Sequence, residues 1–172
     1  MDSFTVTKTH PDLVKYAVSL QKKNSSELGF LPKMAFEQKY SAGRMIMGMV
    51  NNHCRLHLGA GKDKVLRIHQ ACIQYDARRC TWGSEIVKAT EQHARDTGCQ
   101  MIVLRCREGL EANAFWEAEG YIHVNTVEGG KQRGKPINVW CKTATGLWMP
   151  EPAIAPQRAR SVAVHSIYIY TI

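Results

Sequence analysis

Asp76-Ala-Arg-Arg-Cys-Thr-Trp-Gly-Ser84 stands between an apolar, strand-like segment and an amphipathic helix. The apolar segment is Val65–Ile73, and the helix ends at Gly98, a residue that suits the position just past a helix. A helix start leaves backbone N–H groups without an intrahelical acceptor, and the helix dipole makes that end positive. The stretch therefore predicts a binding site for a phosphate or diphosphate group.

Size and charge favour one basic domain with a tail. The chain has 172 residues, 44% of them hydrophobic and 22% charged, and a net charge of +8. A basic surface attracts coenzymes, nucleic acids and acidic proteins alike, so the charge alone does not choose among them. We expect residues 1–148 to form the domain and residues 149–172 to form a Pro-rich linker with a β-prone tail.

Targeting and cysteine patterns point to the cytoplasm. The N-terminus has no apolar h-region, and no run of about 18 apolar residues occurs, so we predict neither secretion nor membrane spanning. The six cysteines form no Cys-x-x-Cys pair, which favours free thiols over a disulfide framework or a metal site.

Hydrophobic periodicity predicts alternating strands and helices along the rest of the chain. Strands are expected at 3–9, 45–50, 53–58, 65–73, 101–104, 121–127 and 137–141, and helices at 11–24, 32–43, 81–97 and 110–119. The pair Asn51-Asn52 predicts a hairpin turn, because asparagine tolerates positive φ. On the third helix, Glu91 and Arg95 have the i,i+4 spacing of an ion pair.

This order of elements resembles the GNAT superfamily of acyl-CoA-dependent N-acyltransferases over residues 3–142. Residues 78–83, Arg-Arg-Cys-Thr-Trp-Gly, map onto the family's cofactor motif Gln/Arg-x-x-Gly-x-Gly/Ala. Residues 115–121, Phe-Trp-Glu-Ala-Glu-Gly-Tyr, map onto its later element Phe-Tyr-x-x-x-Gly-Phe. The chain departs from the pattern at Thr81, Gly109 and Trp116, where the family has glycine, asparagine and tyrosine.

The resemblance implies an α+β fold with α/β/α layers. Its mixed, mostly antiparallel central sheet would have about six to seven strands, with about four helices. The fourth and fifth strands would splay apart, and the gap between them would receive the cofactor.

Acetyl-CoA is the implied co-substrate. By resemblance, the backbone N–H groups of the turn would hold its diphosphate, with added charge from the first two side chains; these residues are Arg78, Arg79, Cys80, Thr81, Trp82, Gly83 and Ser84. Ile73 and Tyr75 would supply the strand edge for pantetheine, and an N–H near Ile73 would polarise the thioester carbonyl. Phe115 and Trp116 would lie beside the cofactor arm, although Phe115 also fits a plain core position.

The groups that would move protons are less well defined. The strand positions where relatives carry a glutamate fall near Arg67 and at Arg105, which leaves His69 and Glu108 as candidate bases. A water chain or an acceptor amine of low pKa are further possibilities. The tyrosine that would protonate the departing thiolate is Trp116, so Tyr121 or Tyr75 would have to replace it.

The leading functional hypothesis is an N-acetyltransferase in which an amine of a small molecule or protein attacks acetyl-CoA directly. Two alternatives stay open: an acyltransferase acting on nucleic acid or aminoacyl-tRNA, suggested by the basic charge, and a catalytically silent acyl-CoA-binding module. The β-prone tail suggests added sheet pairing and a homodimer. The identity of the acceptor is not predicted.

Overall fold

A computed structural model describes residues 4–7, 10–28, 30–50, 53–56, 64–73, 78, 81–129 and 134–145, with backbone alone at 4–7, 46–50 and 53–56. The helices are α1 (Leu13–Lys23), α2 (Lys33–Ser41), α3 (Trp82–Asp96) and α4 (Ala112–Ala118). The strands are β1 (Phe4–Thr7), β2 (Ile46–Val50), β3 (His53–Leu56), β4 (Val65–Ile68), β5 (Met101–Arg107), β6 (Ile122–Val127) and β7 (Ile137–Thr143). The tail predicted at 149–172 lies outside the described residues.

The described strands form two sheets. One is antiparallel with the order β1-β2-β3, and the other has the order β4-β5-β7-β6, in which β4 and β5 are parallel and the other neighbours antiparallel. The mixed α+β class with four helices is therefore confirmed. A single sheet of six to seven strands is not confirmed, because the seven described strands divide into a set of three and a set of four.

Helix α3 forms because its apolar residues share one side. Ile86, Val87, Thr90 and Ala94 are all buried, and the Thr90 hydroxyl donates to the Ile86 carbonyl at 2.8 Å, so this polar side chain is satisfied inside the core. Gly98 ends the helix with a φ of 70°, a conformation that glycine adopts without strain.

Two hydrophobic clusters organise the molecule. Helices α3 and α4 pack on one face of the β4-β5-β7-β6 sheet, and this cluster includes Leu66, Ile102, Leu104, Trp116 and Trp140. Helices α1 and α2 pack with residues before β2 and after β4; this cluster includes Leu13, Leu20, Phe36, Met45 and Cys72.

Strand β4 is shorter than predicted. Its parallel pairing with β5 runs from Val65 opposite Met101 to Ile68 opposite Leu104, and residues 69–73 are not in a strand. Strand β5 continues to Arg107 because β7 pairs with it along its whole length. The predicted strand to Ile73 was therefore wrong in its second half, residues 69–73, where the pairing with β5 does not continue. The two parallel strands therefore lose their pairing after Ile68 and Leu104.

The predicted ion pair between Glu91 and Arg95 does not form. Glu91 accepts from Lys142 Nζ at 2.7 Å, and Arg95 donates to the Ala144 carbonyl at 3.1 Å and to Gln92. Partners on and after β7 replace the local pair, because α3 packs on the face of the sheet that carries Trp140.

Asn113, near the start of α4, connects three elements. Its Nδ2 donates to the carbonyls of Arg107 and Leu110, both at 2.9 Å. Its Oδ1 accepts from Asn138 Nδ2 and Trp140 Nε1, both at 3.1 Å. The side chain thereby fixes α4 against the end of β5 and against β7.

We predict that Asn113→Ala lowers the free energy of unfolding by about 2–4 kcal/mol, because it leaves several partly buried groups without partners. Urea unfolding followed by circular dichroism measures this loss. Asn125→Ala serves as the control, since Asn125 is exposed and makes a bond to the adjacent Thr126 amide. Equal stability of the two variants would contradict the connecting role of Asn113.

Candidate active site

The first turn of α3 presents backbone donors. Thr81 is the N-cap residue and makes no side-chain capping bond; Glu85 N donates to Thr81 O at 3.0 Å. The amides of Trp82, Gly83 and Ser84 precede that bond and, as at any helix start, have no acceptor within the helix ladder. Thr81 has a φ of −66°, so the motif position where relatives carry glycine needs no glycine here.

Gly83 allows three elements to meet. A Cβ atom on this residue would lie 2.8 Å from Ile73 Cδ1 and 3.0 Å from Phe115 Cε2. Both distances are shorter than ordinary carbon contacts, so only glycine fits without displacement of a neighbour. Ile73, Gly83 and Phe115, all predicted to bind the cofactor, are thus brought together at the start of α3. Ile73 lies beyond β4, in a segment that is not a strand.

Arg78 is tied to its surroundings. Its Nε donates to the Ile73 carbonyl at 3.1 Å, and its guanidinium forms an ion pair with Glu27 at 3.2 Å, in the loop after α1. The positive charge of Arg78, which was predicted to contact the diphosphate, is therefore partly neutralised by the Glu27 carboxylate. Tyr75, Arg79 and Cys80 lie outside the described residues.

A set of polar contacts that was not predicted from the sequence joins α3 to the end of α4. Ser84 Oγ donates to Glu119 Oε1 at 2.5 Å, and Lys142 Nζ donates to the Glu119 carbonyl at 2.6 Å. The same lysine binds Glu91 of α3. The Ser84 hydroxyl already donates to Glu119, so the backbone amide of Ser84 is the donor that is left to bind a ligand. Residues this far apart in sequence gave no local signal of the contact.

Trp116 and Tyr121 lie in the hydrophobic core. They are 4% and 2% exposed, and the Trp116 ring makes edge contacts with Phe115 and Tyr121 at 5.1 Å between centroids. Burial, together with the nearby carboxylates of Glu91 and Glu119, raises the pKa of Tyr121. A phenol with a raised pKa is a weaker acid, so these surroundings disfavour Tyr121 as the general acid. The catalytic role of Tyr121 stays a prediction.

The two candidate bases follow neighbouring strands. His69 comes directly after β4, with its Nε2 atom buried, and Glu108 comes directly after β5 and is exposed. The Glu108 amide donates to the Pro136 carbonyl at 2.9 Å, which places it beside the start of β7. His69 therefore lies where β4 and β5 lose their pairing, whereas Glu108 lies four residues beyond Leu104, at the end of β5.

The described thiols are free and poorly suited to nucleophilic chemistry. Cys72, Cys99 and Cys106 are buried and Cys141 is half-buried. Burial raises the pKa of Cys72 to about 12 and that of Cys106 to about 11. At neutral pH both remain thiols, whereas the thiolate is the reactive form. Among the described residues, no group of three metal-ligating side chains occurs, and no helix is long and apolar enough to cross a membrane.

The raised cysteine pKa values predict a loss of stability in alkaline solution. Above a pH of about 9 the unfolded chain ionises these thiols and the folded chain does not, so unfolding becomes more favourable as pH rises. We expect each thiol to contribute about 1 kcal/mol of lost stability per pH unit up to its folded pKa. Urea unfolding of wild type and Cys72→Ala at several pH values measures this difference. Identical pH slopes for the two proteins would contradict the prediction.

Comparison with solved structures identifies the fold. No protein-family model matches the chain, and no curated protein matches its sequence. Ard1 from Thermoplasma volcanium superposes with a TM-score of 0.71 at 12% identity, over 81% of this chain and 97% of that one. The ribosomal-protein-S18-alanine N-acetyltransferase of Escherichia coli gives 0.68 at 11% identity, over 89% and 99%.

A third structure was solved with a ligand. An aminoglycoside 6'-N-acetyltransferase complexed with coenzyme A gives a TM-score of 0.66 at 15% identity, over 86% of this chain and 99% of that one. The fold of the chain is thus similar to the folds of these three solved structures. The chain has the GNAT fold.

Proposed function

We propose that the protein is an N-acetyltransferase that moves an acetyl group from acetyl-CoA to an amine of a small molecule or protein. The observation that carries the proposal is the meeting of Ile73, Gly83 and Phe115 at the donor-bearing start of α3. A helix start packed this closely against Ile73, five residues beyond the end of β4, offers amides to a diphosphate and an apolar wall to the arm beyond it. The GNAT fold of the chain supports the same assignment.

In this proposal the chain mainly positions the reactants. The amides of Trp82, Gly83 and Ser84 hold the diphosphate, and Ile73 and Phe115 flank the pantetheine arm. The acceptor amine approaches through the gap after Ile68 and Leu104, and His69 takes its proton. The departing thiol resembles cysteine, with a pKa near 8.5, so its thiolate is a tolerable leaving group without a strong acid. Trp116 supplies packing rather than a proton.

The cofactor site predicts a selective effect of substitution at Gly83. Gly83→Val should weaken acetyl-CoA binding by about tenfold or more, because its side chain displaces Ile73 and Phe115 from the cofactor path. Gln92→Ala, an exposed change in the same helix, is the control. Isothermal calorimetry measures affinity, and thermal unfolding verifies that each variant is folded. A folded Gly83→Val protein with wild-type affinity would place the cofactor elsewhere.

If His69 is the base, its substitution should lower turnover without changing the affinity for acetyl-CoA. His69→Gln should lower kcat by about 10²-fold and leave the affinity for acetyl-CoA unchanged, because the side chain acts on the acceptor. Glu108→Gln, measured in parallel, tests the second candidate. The readout is acceptor-dependent release of CoA. Full activity of His69→Gln combined with a large loss in Glu108→Gln would assign the base to Glu108.

A catalytically silent acyl-CoA-binding module is the second candidate, favoured by the core position of Trp116 and Tyr121. It shares the predicted affinity for acetyl-CoA and differs in the absence of turnover. Release of CoA across a broad panel of amines separates the two functions. Binding with no acceptor-dependent release from any amine would support the module and exclude the transferase.

A further inference from the structure

The two faces of the β4-β5-β7-β6 sheet are covered unequally. Helices α3 and α4 bury Leu66, Leu104 and Trp140 on one face. The strand register places the alternate residues on the other face, with Val103 and Ile122 both opposite Cys141. We call this second side the open face.

The open face carries apolar residues on all four of its strands. The side chains that form its apolar rows are Val65, Met101, Val103, Ile122, Val139 and Cys141. Ile122 is 59% exposed and the other five are half-buried. The buried residues of α1 and α2 belong to a separate cluster with Met45 and Cys72. A contiguous apolar patch on a sheet face ordinarily marks an interaction surface.

We propose that residues 161–172 of the same chain dock on the open face. Their sequence, Ser-Val-Ala-Val-His-Ser-Ile-Tyr-Ile-Tyr-Thr-Ile, is rich in β-branched and aromatic residues, which favour an extended conformation against an apolar surface. This gives a partner of matching chemistry for a surface that α3 and α4 do not cover.

The exit point of the chain suits this docking. Ala144, directly after β7, is buried; its amide donates to the Gln100 carbonyl at 2.9 Å and its carbonyl accepts from Arg95 at 3.1 Å. The chain therefore leaves from a fixed position at the end of the open face where Met101 pairs with Thr143. Arg67 pairs with Val103 and Arg105 with Val139, so two arginines lie on this face beside the apolar rows, and Arg107 lies toward its opposite end.

The length of the intervening chain and its covalent attachment favour docking of residues 161–172 from the same chain over docking of a second copy. Fifteen residues, 146–160, separate the last described residue from the segment, and a chain of that length spans about 20 Å. Crossing four strands requires about 14 Å, so the segment reaches the whole width of the face. A tethered segment acts at an effective concentration on the order of millimolar, which exceeds the concentration of free copies in dilute solution.

The solvent accessibility of the Cys141 thiol tests whether the open face is covered. In the full chain, we compare its rate of maleimide labelling, read by peptide mass spectrometry, between wild type and the variant Ile167→Asp with Ile169→Asp. Ala155→Asp with Gln157→Asp adds the same charge to the linker and is the matched control. We expect labelling to accelerate by about tenfold in the Ile167/Ile169 variant alone, independent of protein concentration.

Two results would overturn the proposal. Protection of Cys141 that rises with protein concentration, accompanies a dimer in sedimentation and survives the Ile167/Ile169 change would assign the face to a second copy. Equal labelling rates in all three proteins at every concentration would show that residues 161–172 do not cover it. As a reciprocal arm, Ile122→Asp should increase hydrogen exchange in residues 161–172, and unchanged exchange there would also contradict docking.

Discussion

The candidate site depends on the place where β4 and β5 stop pairing. Strand β5 remains hydrogen-bonded to β7 as far as Arg107, whereas its pairing with β4 ends at Leu104. Strand β5 therefore stays in the sheet while the chain after Ile68 leaves it toward α3. That divergence opens the sheet edge and carries Ile73 to the first turn of α3, where Gly83 permits close contact.

Polar contacts fix the helices around this opening. Lys142 joins β7 to Glu91 of α3 and to the carbonyl at the end of α4, and Ser84 binds the side chain of Glu119. Asn113 holds the start of α4 against β5 and β7. Partly buried polar groups of this kind have directional requirements that apolar packing lacks, so they set the position of α3 relative to Phe115.

The sequence predicted the helices well because their signals are local. The apolar face of α3 and the glycines that end α3 and α4 placed these elements within one or two residues of the described bounds. The end of β4 was missed because the loss of its pairing with β5 is set by tertiary structure, although His69 and Gln70 already interrupt the apolar run. The partners of Glu91 and Arg95 were missed for the same reason: both lie on or after β7, about 50 positions along the chain.

The candidate site was predicted in part. The motif at residues 78–84 indicated the helix start, and Phe115 was expected near it; the contacts of Gly83 bring both together. The ion pair between Arg78 and Glu27 had no sequence signal, because it joins a loop after α1 to the turn before α3. The roles of His69 and Glu108 depend on where an acceptor lies, which residue type and spacing do not define.

Backbone amide NMR during titration with acetyl-CoA tests the central claim most directly. If the start of α3 holds the diphosphate, the amide signals of Trp82, Gly83 and Ser84 should show the largest saturable shifts, together with those of residues 69–73. Saturable binding that leaves these amides unshifted, or no binding by a folded protein, would contradict the account.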